Sequence, residues 1–276
     1  MELLRYNIFA EEKKISFKKP ILVFLHGLGG GYSNWMYQVR YLKKKYDLVL
    51  IELPSHGRSK IKMSDMELDF SSVARKIMDV LDHLKIEKAT FLGLSLGSLA
   101  VKQIVLTYPE RVDKYVLAGP IGKISLPFSF GIRLARCLLP ILPVEVVVNI
   151  VGFTLIPNKR FANGRNVFLA CAKHVEKKEF MAWSKVLLSF KKNNHTYVDV
   201  MKDEPNGLYL IGESDYFFLH TVRREIKHAK NVVMIENAGH ICNIDQYEKV
   251  NELIVEFQNN GKIENQAKAE AYAECR

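Results

Sequence analysis

Residues 89–97 read Ala89-Thr90-Phe91-Leu92-Gly93-Leu94-Ser95-Leu96-Gly97. The stretch 89–94 is an uncharged, mostly apolar run of strand length. Apolar content resumes from Leu99 to Leu106 and ends at Pro109, which predicts a helix buried on most sides. A glycine thus stands two residues before and two residues after a serine at a strand-to-helix turn. So tight a turn forces strained dihedrals on Ser95 and leaves no room for side chains at Gly93 and Gly97. It also lifts the hydroxyl above the sheet at a helix N-terminus, where free N–H groups and the helix dipole favour developing negative charge. Ser95 is therefore the candidate nucleophile. The plain structural alternative is a glycine-flanked turn with a capping serine, and the partners of Ser95 decide between the two.

Outward from this turn, apolar runs at 21–25, 48–53, 115–118, 208–211 and 232–235 alternate with helix-period segments. Phe70, Val73, Ala74, Ile77, Val80, Leu81 and Leu84 fall on one face at 3.6-residue spacing. A last helix is expected from about Asp245 to Phe257. The alternation predicts the α/β class: a mainly parallel, doubly wound sheet of about eight strands with helices on both faces. It fails between Pro120 and about Thr196, where aliphatic, proline-punctuated helical segments read as an inserted helical lid. The expected organisation is a core of residues 1–120 and 195–260, a helical cap over 121–194 and a frayed tail over 261–276.

Composition narrows the function classes. A chain of 276 residues that is 48% hydrophobic and 25% charged has apolar content for a sizeable core and too much of it for a disordered chain. The net charge of +10 suggests anionic partners, but the lysines are dispersed and lack the interleaved aromatics of a nucleic-acid surface. Cys137, Cys171, Cys242 and Cys275 are scattered without a C-x-x-C pair, so no metal site or disulfide framework is expected. The N-terminus lacks a signal-peptide pattern, and the longest apolar region, 135–157, is broken by Arg136, Glu145, Asn149 and prolines. A cytoplasmic location is the expectation.

A serine hydroxyl needs a base within hydrogen-bond reach, and the base needs an orienting acid. His240, in Asn237-Ala238-Gly239-His240 after the last strand run, is the candidate base, because it lies on a loop at the carboxyl edge of the sheet. Glu213 and Asp215, after the run 208–211, are the candidate acids at the same edge. The oxyanion of a tetrahedral intermediate needs two donors. The Leu96 amide is one, and the loop His26-Gly27-Leu28-Gly29-Gly30 offers the Leu28 amide as the other. The glycines of that loop match neither G-x-G-x-x-G nor a G-K-[ST] ending, which argues against nucleotide binding.

These residues, in the order serine, acid, histidine, resemble the α/β-hydrolase superfamily over nearly the whole chain from about Ile21 to Phe257. The His26-Gly27 loop, the turn Leu53-Pro54-Ser55-His56-Gly57-Arg58-Ser59 and the stretch Tyr108-Pro109-Glu110-Arg111-Val112 carry the likeness alongside Ser95, Asp215 and His240. The resemblance implies that Asp215, rather than Glu213, is the acid. It also implies that His26 and His56 support loops, and that the insertion roofs the pocket. Serine at position 95 separates the chain from relatives with an aspartate nucleophile. Glu52, Ser55 and Ser98 depart from the family pattern, standing where relatives commonly have aspartate, glycine and glycine.

The resulting expectation is an esterase or monoacylglycerol-lipase-like serine hydrolase. It would cleave small to medium esters with an apolar acyl part, without metal or organic cofactor, and its partner would be a small-molecule ester rather than a nucleic acid. Aliphatic cap residues from Phe128 to Leu155, among them Phe130, Leu134, Ile141, Ile150 and Phe153, are expected to form an apolar roof, with membrane contact as a lesser alternative. A carbon–carbon bond hydrolase or a menaquinone-pathway-like lyase on the same constellation would draw on Arg133, Arg136, Arg160 or Arg165 for a substrate carboxylate. A ligand sensor on the same fold is the remaining alternative.

Overall fold

The computed structural model describes residues 2–10, 14–201, 206–226 and 229–264, with 191–201 described through their backbone only. Seven strands form one sheet: β1 Tyr6–Phe9, β2 Ile21–Leu25, β3 Asp47–Ile51, β4 Ala89–Leu94, β5 Val112–Ala118, β6 Gly207–Gly212 and β7 Asn231–Ile235. Their order is β1-β3-β2-β4-β5-β6-β7, and β1 alone runs antiparallel, pairing Tyr6 with Ile51. The six runs legible in the sequence are all strands. Among the described residues the sheet has seven strands, against the about eight expected. The sequence between β1 and β2 carries Glu11, Glu12, Lys13, Lys14, Lys18 and Lys19 and ends on Pro20, residue types that disfavour strands.

The two faces of the sheet make two cores, because successive side chains of a strand point to opposite sides. Val23, Leu25, Val49, Phe91 and Tyr209 face α2 (Phe70–His83) and α3 (Leu96–Thr107). Leu22, Phe24, Leu48, Leu92 and Leu210 face α1 (Met36–Leu42) and the C-terminal helix. Every residue of β3, β4 and β6 is buried, as expected of strands covered on both faces. Helix α2 starts where Asp69 Oδ1 accepts the Ser72 amide at 2.8 Å.

Four helices lie between β5 and β6: α4 Leu126–Leu138, α5 Val144–Leu155, α6 Ala162–Ala172 and α7 Lys177–Met201. The last runs past residue 194, the expected limit of the insertion. After β6 come α8 (Leu219–Glu225), then β7, the short α9 (Cys242–Asp245) and α10 (Tyr247–Asn260). The C-terminal helix expected from about Asp245 to Phe257 is α10, which begins two residues later, just after the short α9. Of the expected tail, residues 265–276 lie outside the described residues, as does Cys275. Cys137, Cys171 and Cys242 are free thiols.

Strand order positions the site. The chain passes from β2 outward to β3 and then returns to β4 on the other side of β2, so the direction of winding reverses between β2 and β4. Loops leaving the carboxyl ends of strands at such a switch point diverge and open a crevice. The loops after β2 and β4 carry residues 26–30 and Ser95.

Candidate active site

Ser95 sits between β4 and α3 with φ +50° and ψ −113°, a region that costs a non-glycine residue about 1–3 kcal/mol. Its neighbours hold it there. The Ser95 amide donates to the Ala118 carbonyl at 3.1 Å, and the Ser98 amide donates to the Ser95 carbonyl at 2.8 Å. A Cβ on Gly93 would lie 2.6 Å from the Gly97 carbonyl oxygen, and one on Gly97 would overlap the Leu25 carbonyl. Both glycines are therefore required by the close approach of backbone. A Cβ on Gly27 would come within 3.3 Å of Ser95 Cβ, which places that loop directly beside the serine.

His240 Nε2 lies 2.8 Å from Ser95 Oγ, and His240 Nδ1 lies 2.7 Å from Asp215 Oδ2. Asp215 and His240 are both almost fully buried. The second carboxylate oxygen of Asp215 accepts the Phe218 amide at 3.3 Å, and the Phe218 ring lies against the imidazole at 4.9 Å. Glu213 takes a different role: its Oε1 accepts the Asn237 amide at 2.8 Å and braces the loop that leads to His240. The structure thus brings together Ser95, His240 and Asp215, and leaves Glu213 out. Leu28 and Leu96 line the same cavity as Ser95 and His240.

His26 and His56 are built into the backbone. His26 Nε2 accepts the Leu53 amide at 3.0 Å while Nδ1 donates to the Gly27 carbonyl at 2.8 Å. His56 Nε2 accepts the Gly29 amide at 2.8 Å while Nδ1 donates to the Pro54 carbonyl at 2.8 Å. Each ring therefore needs one protonated and one bare nitrogen. Burial, aided by the neighbouring His56, pushes His26 down to about 3, and burial pushes His56 down to about 4. Both stay neutral while they hold the turn after β3 and the loop that carries Leu28.

The departures from the family pattern have local explanations. Glu52 Oε2 accepts the Arg58 amide at 2.7 Å and fills the space above Gly57. Ser55 has φ +67°, and its hydroxyl donates to Glu179 of α7 while accepting the Met63 amide at 2.7 Å. Ser98 Oγ donates to the Ser95 carbonyl at 2.5 Å and accepts the Ile121 amide at 3.1 Å, linking the serine turn to the start of the insertion.

Three supporting residues were not legible in the sequence. Glu179 is buried and accepts from Ser55 and from the Ser64 hydroxyl at 2.6 Å. Burial opposes its ionisation, but these donors outweigh burial and hold the carboxyl below its ordinary range. Trp183 Nε1 donates to the Pro54 carbonyl at 3.0 Å. Asp245 Oδ2 accepts the Gly239 amide at 2.9 Å, next to His240, and burial pushes its carboxyl up to about 6.

Above Ser95 lies a cavity with about 680 Å³ of empty space, part of it open to solvent, lined by Leu28, Ile121, Phe128, Val151, Leu155, Ile156, Phe168, Leu187 and Phe218. Its lining is apolar apart from Asn34, Ser95 and His240. Part of the expected roof is therefore turned the other way: Phe130, Leu134, Ile141, Ile150 and Phe153 are exposed on the outer face of α4, α5 and their connection. Helical spacing assigns residues to faces but does not say which face looks inward. Arg133 and Arg160 are exposed, Arg136 binds the Met181 carbonyl and Ser184, and Arg165 binds the Ile156 carbonyl. None of the four lines the cavity. Among the described residues, no group of three or more His, Cys, Asp or Glu could hold a metal ion.

The serine turn, the sheet order and the residues gathered at the carboxyl edge agree with a family model for the alpha/beta hydrolase fold, which matches residues 20–143. The chain has the alpha/beta hydrolase fold. A solved structure described with the carboxylesterases of the thaumarchaeon Nitrososphaera gargenis superposes on this chain with a TM-score of 0.77 at 15% identity, covering 93% of this chain and 94% of that one. In sequence, the abhydrolase domain-containing protein abhd-5.2 of Caenorhabditis elegans is 24% identical over 93% of this chain and 62% of that protein, and relatives above 30% identity match over shorter stretches. 3-Oxoadipate enol-lactonase 2 of Acinetobacter baylyi is 31% identical over 107 residues, 39% of this chain and 39% of that enzyme. A 2-hydroxy-6-oxononadienedioate/2-hydroxy-6-oxononatrienedioate hydrolase of Paraburkholderia phymatum is 38% identical over 128 residues, 43% of each chain. The chain thus spans about two fifths of the length of the last two of these curated relatives.

Proposed function

We propose that this chain is a serine hydrolase that cleaves carboxylic esters with an apolar acyl part, through an acyl-enzyme on Ser95. The observation that carries this reading is the alignment Ser95 Oγ–His240 Nε2 at 2.8 Å and His240 Nδ1–Asp215 Oδ2 at 2.7 Å beneath an apolar cavity.

In this mechanism His240 Nε2 takes the Ser95 proton as Oγ attacks the ester carbonyl, and Asp215 holds the Nδ1–H tautomer and stabilises the imidazolium. The oxygen that gains negative charge is received by the Leu28 and Leu96 amides, backed by the N-terminus of α3. His240 then returns the proton to the leaving alcohol. A water, deprotonated by the same nitrogen, attacks the acyl-enzyme, and the proton passes from His240 to Ser95 Oγ as the acid leaves. The helical insertion acts as a cap that shields this chemistry from bulk water.

The lining favours an ester over the dicarboxylate substrate of a carbon–carbon bond hydrolase. A substrate carboxylate buried in this cavity would meet no cation, a cost of several kcal/mol. Steady-state hydrolysis of p-nitrophenyl esters from acetyl to palmitoyl, with Ser95→Ala alongside, tests the proposal. Serine-dependent turnover with an optimum in chain length supports it. Absence of turnover across the series, or a single burst followed by silence, overturns it in favour of the carbon–carbon, lyase or sensor alternatives.

A further inference from the structure

We propose that the outer face of α4 and α5 is a docking surface for a bilayer that carries anionic phospholipids. Leu126, Phe130 and Leu134 recur every four residues along α4, and Val146, Ile150 and Phe153 recur at four and three along α5, so each set forms one stripe. These stripes look outward. Leu126 is 74% exposed and Phe130 67%, and Ile141 in the connection between the helices is 78% exposed. Single exposed apolar residues are ordinary; a set this dense on two packed helices marks a surface that meets another apolar phase.

Charge selects the occupant. Between residues 121 and 165 there are six basic residues, Lys123, Arg133, Arg136, Lys159, Arg160 and Arg165, and one acid, Glu145. Arg136 and Arg165 are spent on backbone carbonyls inside the protein. Lys123, Arg133, Lys159 and Arg160 are exposed, and Arg133, seven residues after Leu126, falls on the same stripe of α4. An apolar patch with a cationic rim fits the boundary between headgroups and acyl chains of an anionic membrane. A second copy of the chain fits poorly, since a two-fold pairing on this face sets cationic rim against cationic rim. Among the described residues no helix is long and apolar enough to cross a membrane.

The same two helices border the cavity from their inner side, through Phe128 on α4 and Val151 and Leu155 on α5. A docked chain therefore presents the roof of its cavity to the lipid phase. Resting on the ester-hydrolase reading, this assigns the substrate to the esters that partition into a bilayer.

Vesicle sedimentation of the full chain carrying Ser95→Ala, so that no lipid is consumed, tests the inference. The expected result is binding to vesicles of phosphatidylcholine mixed with phosphatidylserine, and weak binding to phosphatidylcholine alone. Raised salt and Arg133→Gln with Arg160→Gln should weaken binding, by roughly fivefold for each charge removed. Phe130→Ser with Ile141→Ser and Ile150→Ser should reduce it at least tenfold, while turnover of a short soluble ester by the otherwise wild-type chain stays unchanged. No binding to the anionic vesicles, binding indifferent to lipid charge, or binding unchanged in the apolar-face variant overturns the inference. So does a dimer in solution that the same three substitutions dissociate. Loss of vesicle binding with ester turnover intact contradicts this inference alone; vesicle binding without ester turnover contradicts the ester-hydrolase reading alone.

Discussion

Trp183 Nε1 donates to the Pro54 carbonyl at 3.0 Å, tying α7 to the turn that carries His56. That carbonyl also accepts from His56 Nδ1, and His56 Nε2 receives the amide of Gly29, the residue after Leu28. Helix α7 is thereby connected, through two rings and a carbonyl, to the loop that carries Leu28, the proposed oxyanion donor. The indole packs against the imidazole at 5.6 Å between ring centres, so packing and hydrogen bonding act on the same turn.

Trp183→Phe keeps most of the ring volume and removes the N–H donor. It should cost about 1–2 kcal/mol of stability and lower kcat several-fold with little change in KM, because the loop that carries Leu28 loosens. Trp183→Ala, which also leaves a cavity, should cost about 3–5 kcal/mol. Urea denaturation and steady-state kinetics on a short ester measure both effects.

Ser55 combines φ +67° with a hydroxyl bound to Glu179 and to the Met63 amide. Ser55→Gly relieves the backbone strain but loses the hydroxyl, whereas Ser55→Ala keeps the strain and loses it as well. Both should destabilise, and alanine should be the worse by about 1 kcal/mol. Denaturant midpoints of the two variants test the ranking.

Glu213→Gln should leave kcat within a few-fold of wild type, since Gln Oε1 can still accept the Asn237 amide. Asp215→Asn should lower kcat by about 10⁴-fold, because an amide facing His240 Nδ1 favours the wrong tautomer. Equal losses in the two variants would contradict the assignment of Asp215.

Acid should unfold the protein through its buried imidazoles. His26 and His56 are held at about 3 and about 4 against 6.5 for the free side chain, so the unfolded chain binds more protons between these limits. Their contribution is fully present above pH 6.5 and is lost as pH falls towards 4 and then 3, on the order of a few kcal/mol in all. Asp245 acts with the opposite sign. Its carboxyl is pushed up from 3.8 to about 6, so its contribution is full below 3.8 and is lost as pH rises through 6. Asp245→Asn should therefore gain stability relative to wild type at pH 7 compared with pH 5, by about 1 kcal/mol. Urea titrations at pH 4, 5 and 7 measure both trends.

Ser95, Asp215 and His240 were readable because each follows a strand run, and the carboxyl ends of parallel strands converge on one edge whatever the details of packing. The choice of Asp215 over Glu213 needed family resemblance, since two acids two residues apart on a loop are equivalent until the turn is formed. Strand β1 escaped notice because Tyr6-Asn7-Ile8-Phe9 is short and half-buried throughout. Glu179 escaped because nothing near it in the chain marks it as buried: its partners Ser55 and Ser64 are 124 and 115 residues away. The outward stripes of α4 and α5 differ from the expected roof for a related reason: periodicity defines a face, and only the neighbouring elements decide where it points.

In the proposed mechanism Ser95 is a nucleophile activated by His240. Intact-mass measurement after exposure to a fluorophosphonate ester, a reagent that phosphonylates activated serines, tests it most directly. One adduct is expected, located on Ser95 by peptide mapping, absent from Ser95→Ala and slowed by at least about 10³-fold in His240→Ala. A folded wild-type chain that forms no adduct, or one that labels equally well after either substitution, would contradict it.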